Sequence, residues 1–175
     1  MTIYSYISQS GNFIFELNND KLYKLHLPKT SKHVNIPNVN KCKVFEKDVL
    51  KINIEALELF LDGEFNLINL EKVMDTWEMI FSPFNQKVYH KVIEIAPGST
   101  LTYRKVAELA GNLNAYRAVG NAMRRNRFPL LIPCHRVIGS DYKLRGYSGA
   151  DGTLTKSKLI EWEKHTIISS SKFCF

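Results

Sequence analysis

The sequence predicts an α+β protein with a small β-rich amino-terminal part and a mostly helical carboxyl-terminal part. Short aromatic and β-branched segments dominate the beginning of the chain, whereas apolar residues recur at helical spacing further on. The charge balance also changes near residue 80. We therefore expect a support domain with a β-sheet and a helix over residues 1–80. A second domain, which contains a helix-turn-helix, is expected over residues 81–175.

The amino-terminal sheet is predicted to be a meander of three strands. Three segments have strand-like composition or alternation, and turn-forming residues separate them: 3–8, 12–17 and 21–27. Residues 28–43 contain two prolines and are expected to form a loop. Apolar spacing then predicts a helix within 46–64 that stops at Asp62-Gly63, and residues 64–81 connect it to the next domain.

The second part of the chain is predicted to be helical. A serine cap and a first-turn proline begin a helix that is expected to span residues 82–98. Two shorter helices follow over 102–111 and 113–126, with a glycine at the turn between them. Two short helices joined by a tight turn make a helix-turn-helix candidate.

The second short helix separates cationic from apolar side chains. At about 100° per residue, one face carries the polar side chains of Arg117, Asn121, Arg124 and Arg125. The opposite face carries the apolar side chains of Ala115, Val119, Ala122 and Met123. Such a helix packs closely on a neighbour and presents arginines to phosphates. The alternative is the solvated face of an ordinary helical domain.

The net charge of +7 is concentrated in the second part. Residues 1–85 hold nine lysines, no arginine and eleven acidic residues, a net charge of −2. Residues 86–175 hold fifteen basic and six acidic residues, a net charge of +9, and all seven arginines of the chain. Because guanidinium binds phosphate bidentately, we expect a polyanionic partner, nucleic acid first. A merely basic domain is the alternative.

The sequence carries none of the patterns that would direct it to a membrane or an oxidising compartment. No apolar run approaches the length of a membrane span, and the amino terminus lacks a secretory signal pattern. Cys42, Cys134 and Cys174 include no C-x-x-C pair, so no disulfide framework or metal site is expected. A cytoplasmic protein with free thiols is the default.

The sequence "PCHRV" places Cys134 beside an imidazole and a guanidinium. Most buried cysteines are inert, but an activated thiol is the functional interpretation. Only the thiolate is a good nucleophile, and His135 could take its proton directly or through water. The charge of Arg136 would favour the anion. Glu161 and Glu163 in "LIEWEKH" are both candidates for an acid that orients the imidazole, and the residues alone do not choose between them.

The segments "RAVGNAMRRN", "PLLIPCHRVIGS" and "LRGYSG" together resemble the signature of the O6-alkylguanine-DNA alkyltransferases, the methylated-DNA–protein-cysteine methyltransferases. The resemblance covers about residues 84–165, and the Pro-Cys-His-Arg-Val core is highly specific. It implies DNA repair by direct reversal. A thiolate takes the alkyl group from O6 of guanine as a thioether, without a cofactor and once per molecule.

The same resemblance implies roles for five catalytic residues. Cys134 matches the alkyl acceptor, and His135 matches the base that ionises it through a bridging water. Glu163 matches the acid that orients the imidazole. Asn126 matches the brace of the active-site turn, and Tyr103 matches a tyrosine that turns the 3′ phosphate and donates a proton to the leaving guanine.

The resemblance also implies that one recognition helix lies in the minor groove of double-stranded DNA with alkylated guanine and that the target base is extruded. Arg117 matches the arginine that fills the vacated place in the stack. The other expected DNA contacts are Tyr103, Arg104, Asn112, Arg124 and Ser140. The expected base pocket comprises Met123, Val137, Tyr147 and Ser148, the last two in a flap over the base. The protein is expected to act as a monomer, away from membranes.

A related class of proteins supplies the alternative function. Alkyltransferase-like proteins share the fold and bind lesions without transferring the alkyl group. They replace the acceptor cysteine, usually with tryptophan. Cys134 is intact here, which favours transfer.

Overall fold

The described part of the chain folds into a β-sheet followed by a mostly helical region. A computed structural model describes residues 1–28, 40–41, 48–77, 81–147 and 152–166. The sheet contains β1 (Thr2–Ser8), β2 (Gly11–Asn18), β3 (Lys21–His26) and β4 (Asn40–Lys41), in the order β3-β2-β1-β4. The helices are α1 (Asp48–Leu61), α2 (Leu70–Asp75), α3 (Pro83–Ile93), α4 (Tyr103–Leu109), α5 (Tyr116–Arg124) and α6 (Thr153–Thr166). Two further strands, β5 (Leu101–Thr102) and β6 (Val137–Ile138), pair in parallel. The predicted α+β class is confirmed.

Local turn chemistry sets the register of the predicted meander. β1 and β2 pair antiparallel, and β2 and β3 do the same. Between β2 and β3, Asn19 and Asp20 adopt φ values of 47° and 59°, the left-handed conformation that a two-residue hairpin turn requires. The short β4 runs parallel to β1. It lies in the stretch that the sequence predicted to be a loop, and a two-residue strand is too short to show a periodicity.

Helix α1 packs its apolar stripe on the sheet to form the amino-terminal core. The buried side chains include Phe13, Phe15 and Leu17 of β2, and Leu50, Ile54, Leu57 and Leu61 of α1. Because only one face of α1 is buried, its apolar residues recur at helical spacing, as the sequence predicted. No helix within the described ranges is long and apolar enough to cross a membrane.

The structure corrects two predictions for the segments around Ser82. The helix that begins after Ser82 ends at Ile93 and not at residue 98. Pro97 disfavours helical geometry at the residue before it, and the chain tightens where the Ile95 amide donates to the Val92 carbonyl at 3.2 Å. The segment predicted to be a plain connection contains α2, whose amino terminus is capped by Asn69. At six residues, α2 is too short for its apolar pattern to stand out.

The edge strand β3 contacts the carboxyl-terminal half of the protein. The Leu25 amide donates to the Arg127 carbonyl at 2.8 Å. The rings of Trp77 and Phe128 stack at 4.2 Å with an interplanar angle of 12°. Both contacts hold the segment that leads to Cys134. The boundary near residue 80 stays a prediction.

Helices α4 and α5 form the predicted helix-turn-helix. Thr102 caps α4 by accepting from the Lys105 amide at 3.1 Å, and Gly111 makes the turn with φ +88°. Residues 113–115 form a single 3-10 turn, so α5 begins at Tyr116 and not at residue 113. The predicted polarity of α5 is confirmed except at Ala115, which precedes the helix and is half-buried. Its exposed side chains are Arg117, Asn121, Arg124 and Arg125, and its buried ones are Val119, Ala122 and Met123.

Candidate active site and DNA-binding face

Cys134 lies at the end of a tight turn between α5 and β6. The Ile132 amide donates to the Phe128 carbonyl at 2.7 Å, and Leu130 between them adopts φ 71°. Cys134 then begins a 3-10 turn that runs to Arg136. The turn places the thiol inside the protein, where only 4% of the residue is exposed.

The side chain of Asn126 braces this turn and also contacts the sulfur. Its Nδ2 donates to the Ile132 carbonyl at 2.9 Å and to Sγ of Cys134 at 3.1 Å. Its Oδ1 accepts from the Phe128 amide at 2.9 Å. An N–H group directed at sulfur stabilises the thiolate more than the thiol. Asn126 therefore links the shape of the turn to the acidity of the Cys134 thiol.

The resting thiol is held in its protonated form. Burial raises the pKa of the Cys134 thiol, and the hydrogen bond from Asn126 and the positive charge of Lys156 oppose that rise. Arg136 was expected to favour the anion. Instead its guanidinium points away, to Glu163 and to the Ile95 carbonyl at 2.6 Å. The cation that acts on the sulfur is Lys156.

His135 and Glu163 form a fully buried pair beside Cys134. Nε2 of His135 lies 2.7 Å from Oε1 of Glu163, and both residues are 0% exposed. Burial alone would raise the pKa of the Glu163 carboxyl, but His135 and Arg136 outweigh it and lower the pKa to about 2. An ionised carboxylate can only accept hydrogen bonds, so Nε2 carries the proton and donates. Nδ1 is then the basic nitrogen.

Nδ1 of His135 is buried and has no hydrogen-bond partner among the described residues. Burial lowers the pKa of His135, although Glu163 opposes the effect. The imidazole is therefore neutral at physiological pH, with an unused lone pair. This is the state that a general base for the thiol requires.

The carboxylate of Glu163 is fixed by further donors. Arg136 donates through Nε at 3.0 and 3.1 Å and through a terminal nitrogen at 2.8 Å, and the Gly98 amide donates at 2.9 Å. Glu161, the other sequence candidate, is exposed and accepts from the Ser157 hydroxyl at 3.1 Å. The structure thus places Glu163, and not Glu161, against the imidazole.

Tyr103 and Lys156 both bind the backbone of the segment that follows β6. The Tyr103 hydroxyl donates to the Arg145 carbonyl at 3.3 Å, and Nζ of Lys156 donates to the same carbonyl at 3.1 Å. Lys156 also donates to the Val137 carbonyl at 2.6 Å. The Tyr147 hydroxyl is buried and has no partner among the described residues. Burial and the charge of Cys134 raise the pKa of Tyr147 well above its ordinary value.

The remaining predicted site residues divide by exposure. Met123 and Val137 are buried in the core. The expected DNA contacts are exposed: Arg104, Asn112, Arg117, Arg124 and Ser140. Ser148 lies outside the described residues. Within the described ranges, no group of three or more His, Cys, Asp or Glu side chains could hold a metal ion.

Comparison with known proteins decides the family. The model of the 6-O-methylguanine DNA methyltransferase DNA-binding domain matches residues 83–165. The methylated-DNA–protein-cysteine methyltransferase of Methanosarcina barkeri is 33% identical over 160 residues, which are 91% of this chain and 95% of that protein. The chain belongs to the methylated-DNA–protein-cysteine methyltransferase family. The relative from Saccharomyces cerevisiae is 32% identical over 171 residues, which cover 94% of this chain and 87% of that protein.

Solved structures show that the fold is that of the methyltransferase family. The O6-methylguanine methyltransferase of Mycobacterium tuberculosis superimposes with a TM-score of 0.68 at 25% identity, over 94% of this chain and 93% of that one. A structure of the Mycobacterium tuberculosis protein in complex with DNA gives a TM-score of 0.69 at 24% identity, over 94% of each chain.

Sequence reasoning missed Lys156, a buried cation in this methyltransferase site. The residue is 0% exposed, and burial lowers its pKa to about 8 while the charge of Cys134 opposes that shift. A helical wheel of α6 would have found it. Lys156, Leu159, Ile160 and Glu163 follow the spacing of one helix face, and all four are buried.

Proposed function

We propose that this protein repairs DNA by transferring an alkyl group from O6 of guanine to the sulfur of Cys134. One observation carries the proposal: Glu163 holds His135 through one ring nitrogen, while the other ring nitrogen has no hydrogen-bond partner in the described part of the chain. A nucleophile, a base and an acid that orients the base are the parts that an activated cysteine needs. The relatives named for this reaction match most of the chain.

The transfer proceeds in steps that balance. Nδ1 of His135 takes the thiol proton of Cys134, through a water molecule. The thiolate then attacks the alkyl carbon, a carbon–sulfur bond forms and the bond between that carbon and O6 breaks. The electron pair of the broken bond goes to guanine. Because the product is a thioether, the protein reacts once and is not regenerated.

The leaving guanine must gain a proton. Tyr103 serves as the donor, because a tyrosine hydroxyl is protonated at neutral pH. Burial and the charge of Cys134 raise the pKa of Tyr103, which keeps the proton in place until the guanine anion forms. The proton that His135 took from Cys134 then reaches Tyr103 through solvent and restores its hydroxyl. The Tyr147 hydroxyl, which is buried without a partner in the described ranges, donates to the lesion oxygen.

The partner is double-stranded DNA that carries alkylated guanine, and the protein acts as a monomer. The small residues of α5 allow a close approach in the minor groove, and its arginine face meets the backbone. Because only 4% of Cys134 is exposed, a base inside a duplex cannot reach its thiol. The base is extruded, and Arg117 fills the vacated place in the stack.

The experiment is to incubate the protein with a duplex containing O6-methylguanine and to measure intact mass. We expect one methyl group to replace the thiol hydrogen, with peptide mapping that locates it on Cys134. Cys134→Ser should bind the duplex and gain no mass. Tight lesion binding by the unaltered protein without any gain in mass would contradict transfer and identify a lesion-binding protein.

A further inference from the structure

Tyr116 is an aromatic side chain on the surface of the helix-turn-helix. It is the first residue of α5 and is 37% exposed. The guanidinium of Arg104 lies 5.6 Å from the ring centroid, and that of Arg117 lies 5.7 Å away. These distances fall within the range of a cation–π contact. One ring therefore contacts a cation from each helix of the motif.

These two arginines have no carboxylate partner within the described ranges. Each acidic side chain that does form an ion pair pairs elsewhere, as Glu108 does with Lys105 at 2.9 Å. Among the described residues, the Tyr116 ring is thus the contact that both guanidinium groups share. A long side chain that is already ordered loses less conformational freedom on binding.

We propose that Tyr116 is a positioning residue. Its ring holds Arg117 ready to enter the duplex and holds Arg104 where it can contact the DNA backbone. The inference rests on the proposed function. The ring holds both arginines through its face, so its hydroxyl is not required. The identity of residue 116 then governs repair in duplex DNA and has no effect on the reaction with a free base.

The test compares Tyr116→Leu with Tyr116→Phe. A cation–π contact at an exposed site changes an equilibrium by roughly 2–5-fold, and two contacts are lost in the leucine variant. We expect Tyr116→Leu to repair the duplex about 4–25-fold more slowly at sub-saturating protein, and to react normally with free O6-benzylguanine. Tyr116→Phe should match the unaltered protein in both assays.

A double-variant cycle separates positioning from general binding. In an Arg117→Ala background, Tyr116→Leu should have a smaller effect on duplex repair than in the unaltered protein. Equal rates for the leucine variant and the unaltered protein on duplex would overturn the inference. So would an equal loss on duplex and free base, or a phenylalanine variant as slow as the leucine one.

Failure of the proposed function gives a different result. In that case the unaltered protein would show no alkyl transfer to Cys134 with either substrate. Duplex affinity, measured by fluorescence anisotropy, would still report on the ring. A weaker affinity of Tyr116→Leu that Tyr116→Phe does not share would support the positioning of the arginines, and equal affinities would oppose it.

Discussion

Replacing Glu163 with glutamine removes the charge from a fully buried carboxylate that holds both His135 and Arg136. The amide keeps the size of the side chain. It leaves Arg136 as an unpaired buried cation, however, and breaking such a pair costs about 3–5 kcal/mol. It also removes the acceptor that fixes the protonated nitrogen of His135. We therefore expect Glu163→Gln to lower both stability and transfer.

The pH dependence of this effect follows from the pKa of the Glu163 carboxyl, which is about 2 in the folded protein against an ordinary 4.5. A carboxyl whose folded pKa is depressed contributes stability above its unfolded pKa and loses it as the pH falls through the folded one. The contribution is about 3 kcal/mol at pH 7, and about 2 kcal/mol of it is lost by pH 3. Between pH 7 and pH 3, the difference in unfolding free energy between the unaltered protein and Glu163→Gln should therefore narrow by about 2 kcal/mol.

Urea unfolding at pH 7 and pH 3 measures the gap, and single-turnover transfer at pH 7 measures activity. Glu161→Gln is the matched control, because Glu161 lies on the same helix but is exposed. The control should change neither stability nor rate appreciably. A gap for Glu163→Gln that is equal at both pH values would refute the assignment of the depressed pKa to this carboxyl.

Three other substitutions test separate parts of the site. Arg117→Ala should slow repair in duplex DNA more than the reaction with a free alkylated base, and equal losses would show that Arg117 does not serve extrusion. Lys156→Met should raise the pKa of the Cys134 thiol, with a roughly tenfold slower transfer at pH 7 for each pKa unit, whereas Lys158→Met on the exposed face should not. Asn126→Ala removes a hydrogen bond to the thiolate that contributes about 1.5–3 kcal/mol, so its rate profile should move to alkaline pH. If the pH–rate profile of Lys156→Met or of Asn126→Ala matched that of the unaltered protein, the role given to that residue would be contradicted.

The sequence was sufficient for the elements whose periodicity is long or whose turns are chemically distinctive. The meander, α1 and the polarity of α5 could be predicted for this reason. Helix α2 and strand β4 could not, because six and two residues are too few to show a period. The sequence placed the end of α3 at Pro97, but the helix already stops at Ile93.

Within the candidate site, the sequence indicated which side chains gather there better than it indicated their orientations. Adjacency in "PCHRV" suggests that Arg136 lies beside the sulfur, but neighbours in a 3-10 turn point in different directions. Arg136 therefore contacts Glu163, which is distant in sequence. Lys156 reaches the same region from α6. Contacts made across the fold have no signature in a local motif.

Burial of Cys134 has a consequence for a protein that reacts only once. A thiolate exposed to solvent would react with other electrophiles and consume the molecule before it met a lesion. Burial keeps the pKa of the Cys134 thiol raised, and Asn126 and Lys156 limit that rise so that ionisation stays accessible. In the proposed reaction, the neutral imidazole of His135 then accepts the proton when the alkylated base is in place. A thiol whose pKa is set by burial and by these two contacts stays protonated until the substrate is bound. A strongly acidic thiol would not, so the balance suits a protein that reacts only once.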